Sequence, residues 1–186
     1  MNHIVFQSKC QGYSHIKSDL ECQDSTLVKK TEKYAIAVVA DGHGSASYFR
    51  SSRGSLFATE AAITAIEELL ETILSDKSNM DDFCASIDKH LIQLERSVIA
   101  RWHERVEDDY SKNPFLDSEI LKVDEKHKEK YLKGERIEAA YGSTLIAVAC
   151  TDAFWFGIHI GDGKCITCDY SGNFAEPIPW LSLIHI

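Results

Sequence analysis

The order of residue patterns predicts an α+β domain: apolar strands in front, two long amphipathic helices in the middle and an antiparallel meander behind. Three observations carry that expectation. The runs at 34–40 (Tyr-Ala-Ile-Ala-Val-Val-Ala) and 144–150 (Thr-Leu-Ile-Ala-Val-Ala-Cys) are near-continuously apolar, as suits strands buried on both faces. Between them, apolar residues recur at spacings of three, four and seven. Behind the second run, turn residues punctuate the chain every few positions, which joins neighbouring strands directly and leaves no room for crossover helices.

In chain order, residues 4–30 are mixed and short-ranged and predict two strands with a turn around 17–24. The buried strand at 34–40 ends at Asp41-Gly42-His43-Gly44-Ser45. Leu56, Ile63, Ile66, Leu70 and Ile73 then mark a helix over 47–74. Residues 75–79 break the pattern. Asp81 and Asp82 open a second helix, carried to 108 by Phe83, Ile87, Leu91, Leu94, Val98, Trp102 and Val106. Trp102 and Phe83 on that stripe are expected in the core. The charged stretch 107–138 reads as a solvated excursion holding a short polar helix within 117–133, or as a flap that shapes substrate access. The meander follows, with strands at 144–150, 153–160 and 164–169 and turns at Thr151-Asp152, Gly161-Asp162-Gly163 and Ser171-Gly172-Asn173.

A length of 186 residues suffices for one domain with a substantial core. The net charge of −9 argues against nucleic acid or an anionic membrane as the main partner, though not against phosphate chemistry, where a metal ion supplies local positive charge. No apolar run approaches the ~20 residues of a membrane span, and no secretory signal opens the chain. The six cysteines therefore read as reduced thiols, and the protein as cytoplasmic. Cys165-x-x-Cys168 has no second ligand pair at matching spacing, so it reads as packing or exposed thiols rather than a zinc site.

Four short motifs point to chemistry. Asp41-Gly42-His43-Gly44-Ser45 follows a buried strand and precedes a helix, so its carboxylate and the carbonyls beside it stand at a domain edge; such oxygen donors suit Mg²⁺ or Mn²⁺. Taken alone it is equally a plain turn, because Asp-Gly is a common turn dipeptide. Gln23-Asp24-Ser25, Gly142-Ser143-Thr144 and Gly161-Asp162-Gly163 are each, in isolation, ordinary turns.

Their order is more specific than any one of them. Gln-Asp-Ser, strand-Asp-Gly-His-Gly-Ser-helix, Gly-Ser-Thr-strand and strand-Gly-Asp-Gly together resemble the protein phosphatase 2C superfamily, in particular its divergent bacterial branch, over residues 15–173. The resemblance implies a four-layer α/β/β/α sandwich of two antiparallel sheets flanked by helices. It implies two or three Mg²⁺ or Mn²⁺ ions and attack of a metal-bridging water on phosphoserine or phosphothreonine of proteins. By the same resemblance Asp41 is the bridging carboxylate, Gly42 a carbonyl ligand, Asp24 an acidic ligand acting directly or through water, Asp162 a ligand of a weaker third ion, and His43 a general acid near the leaving group. The implied partners are phosphoprotein substrates and a cognate serine/threonine kinase.

Two departures matter. Gln23 stands where many relatives carry Glu. Asp19 stands where many carry a phosphate-gripping Arg, with His15, Lys17 and Arg53 as possible substitutes. The resemblance also implies further C-terminal aspartates, and none follows Asp169. Residues 1–180 accordingly read as the N-terminal part of one phosphatase-like domain and 181–186 as a non-native tail, with weak metal binding and little activity expected of these residues alone. The competing expectation is a catalytically inactive module of the same fold that binds or regulates.

Overall fold

The computed structural model describes residues 3–17 and 19–178. The expected tail at 181–186, and the domain end expected at 180, lie outside the described residues. Strands β1 (Asp24–Lys30), β2 (Tyr34–Asp41), β3 (Leu145–Thr151) and β4 (Trp155–Ile160) form one antiparallel sheet in the order β1-β2-β3-β4. A two-stranded sheet, β5 (Thr167–Cys168) with β6 (Phe174–Ala175), follows. The class is the expected α+β, with a four-stranded antiparallel sheet, a small second one and helices.

The long β2–β3 pairing joins segments far apart in sequence: Tyr34 lies opposite Thr151 and Val39 opposite Ile146. On one face, Ile36, Val38, Leu145, Ala147, Phe156 and Ile158 are buried. Helix α2 (Ser51–Ile73) covers that face, and α4 (Ile87–Lys112) packs on α2. Trp102 and Phe83 are in the core, as their helical spacing predicts.

Gly54 sets the depth of α2. A Cβ there would come within 1.7 Å of the Tyr141 carbonyl oxygen, so the helix lies directly on the 3-10 turn Ile137–Tyr141. Trp102 locks the contact by donating its indole N–H to the Gly54 carbonyl at 3.0 Å.

The other face corrects an expectation. The strands are apolar on both sides, yet Val39 and Trp155 keep 47 % and 48 % of their surface exposed. The described residues lay helices on one side only. On the open side Gly163 lies against Ile146 and Gly157 against Ile178, a partial cover.

Three further expectations are corrected. Residues 4–30 hold one strand and a short helix, α1 (Tyr13–Lys17), rather than two strands. The second long helix is two, α3 (Lys77–Ala85) and α4, because Ser86 leaves the helical region at φ −139°, ψ 38°; Asp76 caps α3 by accepting the Asn79 N–H. The charged excursion forms α5 (Asp117–Ile120) and α6 (Glu125–Leu132), and it contributes Ile120, Val123 and Tyr131 to the core instead of lying free in solvent.

Arg50 explains how that excursion is held. It is buried, and its guanidinium donates to both Glu119 carboxylate oxygens at 2.9 Å, to the carbonyls of Asn113 and Pro114, and to the Tyr141 hydroxyl at 2.8 Å. Tyr141 in turn donates to Asp109. A buried guanidinium with each of these acceptors in place is the arrangement in which burying a charge is tolerable.

Candidate functional site

The last residue of β2 and the first of β1 meet at one edge of the sheet, where Asp24 and Asp41 are partners in the antiparallel register. Asp162, in the turn after β4, lines the same cleft of about 420 Å³. That turn requires Gly161, whose φ of +102° few other residues adopt and whose Cβ would collide with Thr144. Thus three of the four motifs each deliver an aspartate to one cleft.

The fourth motif fixes the backbone beneath them. Thr144 donates its N–H to the Asp41 carbonyl at 2.8 Å, the Thr144 hydroxyl accepts the Asp41 N–H at 3.2 Å, and the Ser143 hydroxyl donates to the same carbonyl. Gly42 serves packing: a Cβ there would lie 2.6 Å from the Ser51 carbonyl oxygen and 2.7 Å from that of Gln23. Gly142 makes room for His43, whose Cδ2 would sit 2.6 Å from an added Cβ. The His43 ring packs edge-on against Tyr48, with centroids 4.7 Å apart.

The electrostatics centre on Asp41. Partial burial raises the Asp41 carboxyl above its ordinary range; hydrogen bonding and charge from Asp24 raise it further, as does the charge of Asp162, while His15 opposes the shift. Among the described residues, no three or more His, Cys, Asp or Glu side chains are gathered as closely as metal ligands. The chemistry of the cluster nevertheless fits a hard divalent cation, with three carboxylates lining one cleft and the Asp41 carboxyl held above its ordinary range. The Gln23 side-chain oxygen adds to that fit, since it is buried without a hydrogen-bond partner beside Asp24 and against Gly44.

The cleft also carries cations. Lys9, whose ammonium donates to the Asp24 carbonyl at 3.4 Å, and Lys164 both line it. Of the substitutes considered for the absent arginine, His15 acts on Asp41, whereas Arg53 is engaged by Asp109 at 2.9 Å. Cys22 also reaches the site, its thiol 3.8 Å from an Asp24 carboxylate oxygen. Lys9 carries no sequence signal, because nothing in the local pattern says that the N-terminal segment returns to this edge, whereas Lys164 directly follows the Gly161-Asp162-Gly163 motif. Cys165 and Cys168 are free thiols. No helix among the described residues is long and apolar enough to cross a membrane.

Comparison with known proteins adds a family. No curated protein matches the chain significantly. Among solved structures, a crystal structure of RsbX in complex with magnesium matches at 16 % identity with a TM-score of 0.42, over 87 % of this chain and 53 % of that one. The chain thus spans about half the length of that structure. Residues 11–179, nearly the whole chain, match the family model described as protein phosphatase 2C, and the chain belongs to that family.

Proposed function

We propose that the protein is a metal-dependent protein phosphatase that removes phosphate from phosphoserine and phosphothreonine. The observation that carries this reading is the convergence of Asp24, Asp41 and Asp162 on one cleft, with Asp41 held above its ordinary range by burial and by its acidic neighbours. In this reading the three carboxylates and the Gly42 carbonyl hold Mg²⁺ or Mn²⁺, in the number that the family's two- or three-ion pattern implies. The metal, when bound, supplies a water of lowered pKa and neutralises charge on the phosphoryl group. Lys9 and His15 attract and orient the substrate dianion, and His43 gives a proton to the departing serine or threonine oxygen. The cognate kinase and a cytoplasmic setting belong to the same proposal.

A second reading is a binding or regulatory module that has lost turnover. It is favoured by Gln23 in place of an acid and by a cleft whose lining carries lysines and no arginine. Hydrolysis of p-nitrophenyl phosphate and of a phosphothreonine peptide by the full-length protein, with and without Mn²⁺, separates the two. Mn²⁺-dependent turnover that Asp41→Asn abolishes supports the enzyme. A folded protein with no turnover under either condition supports the module.

A further inference from the structure

A second cavity, of about 460 Å³, is lined by α4, α6 and the 3-10 turn Ile137–Tyr141 rather than by the three aspartates. His43 belongs to its lining and stands two residues along the chain from Asp41, which lines the acidic cleft. Its charge is opposite to that of the chain. His103, His127, Lys130 and Arg136 join His43 in the wall against one carboxylate, Glu138, in a protein of net charge −9. Among the described residues neither Lys130 nor Arg136 has an ion-pair partner, whereas most other basic side chains of α4 and α6 do. His127 is held by Asp124 at 2.8 Å through Nδ1, which leaves Nε2 as its remaining polar atom. Arg136 adopts φ +55°, a left-handed conformation uncommon outside glycine, and strain of that kind collects where a residue must be aimed.

We propose that this cavity is an anion subsite that takes an acidic side chain flanking the phosphoresidue of a peptide substrate. The proposal rests on the phosphatase reading above and adds a sequence preference to it. A peptide whose phosphoryl group lies over Asp41 passes His43 and delivers a neighbouring Asp or Glu to Lys130 and Arg136. Charge-assisted hydrogen bonds from an ammonium and a guanidinium are the strong class of such contacts. The charged excursion 117–138, a solvated face or a flap by sequence, then becomes the wall that selects substrates.

The test measures fluorescence anisotropy of two labelled phosphothreonine peptides on the full-length protein, one flanked by glutamates and the other by glutamines. The expected result is binding of the glutamate peptide about tenfold tighter, weakening as salt is raised. Lys130→Gln/Arg136→Gln, at exposed positions and verified as folded by circular dichroism, abolishes the difference. Equal affinity for the two peptides, or a preference that survives the double variant, overturns the proposal. Mn²⁺-dependent turnover of p-nitrophenyl phosphate, which has no flanking group, is measured on the same samples. Its absence alongside an intact peptide preference overturns the phosphatase reading and leaves an anion-binding cavity; its presence without the preference overturns the subsite alone.

Discussion

Asp24 and Asp41 are partners at the end of the β1–β2 ladder, so hydrogen-bonded strands hold two carboxyl groups side by side. Each additional aspartate at that edge makes the charged form of Asp41 less favourable, and a divalent cation reverses the penalty.

The first consequence concerns stability without metal. A folded-state carboxyl raised above its ordinary value binds its proton more tightly in the folded than in the unfolded chain. Its contribution is therefore fully present below the ordinary carboxylate range and is lost as pH rises through the higher folded value. In chelator, thermal melts of the wild type decline from about pH 4 to pH 8 more than those of Asp41→Asn. At pH 7 the variant melts higher, by a few degrees for ~1 kcal/mol in a chain of this size. An Asn variant less stable than wild type at pH 7 contradicts the electrostatic account.

Thr144→Val tests the platform under Asp41. It removes the hydroxyl that accepts the Asp41 N–H, at a cost of about 1 kcal/mol. Mn²⁺ affinity falls severalfold while the fold persists, as read by calorimetry beside circular dichroism.

Gly54→Ala tests the helix seat. The added methyl overlaps the Tyr141 carbonyl, and α2 must lift from the 3-10 turn and from Trp102. Overpacking of this kind costs about 1–3 kcal/mol or more. Urea unfolding reads it as a lowered midpoint, and an unchanged midpoint rejects the close approach.

Arg50→Ala tests the anchor of the charged excursion. It leaves Glu119 and Asp109 without that guanidinium and strips the carbonyls of Asn113 and Pro114 of their donor. Breaking a buried pair from one side costs about 3–5 kcal/mol. Hydrogen exchange quickens across 113–132 before it does in β2 and β3.

Much of this fold was legible in the chain because local pattern and tertiary role agree. The apolar runs at 34–40 and 144–150 became the central β2–β3 pair, and the heptad-like stripe put Trp102 and Phe83 inside. The Ser86 break was hidden because apolar spacing continues through it. The exposure of Val39 and Trp155 was hidden because a strand's composition shows that a face can be covered, not that it is. At the site, the motifs named Asp24, Asp41 and Asp162, and the structure brings all three to one cleft. Lys9 was invisible because its role arises from where the N-terminal segment returns, whereas Lys164 stands directly after the Asp162 motif and could have been read from it. The tight seat of Gly42 against the carbonyls of Ser51 and Gln23 was not legible in the motif, because both contacts come from elsewhere in the chain.

The most direct measurement of the central claim is a calorimetric titration of Mn²⁺ into metal-free wild type and Asp41→Asn at pH 7. The account predicts saturable uptake by the wild type that the Asn variant loses and that Lys130→Gln/Arg136→Gln retains. Absence of uptake by folded wild type, or equal uptake by wild type and Asp41→Asn, contradicts a metal centre at this edge of the sheet.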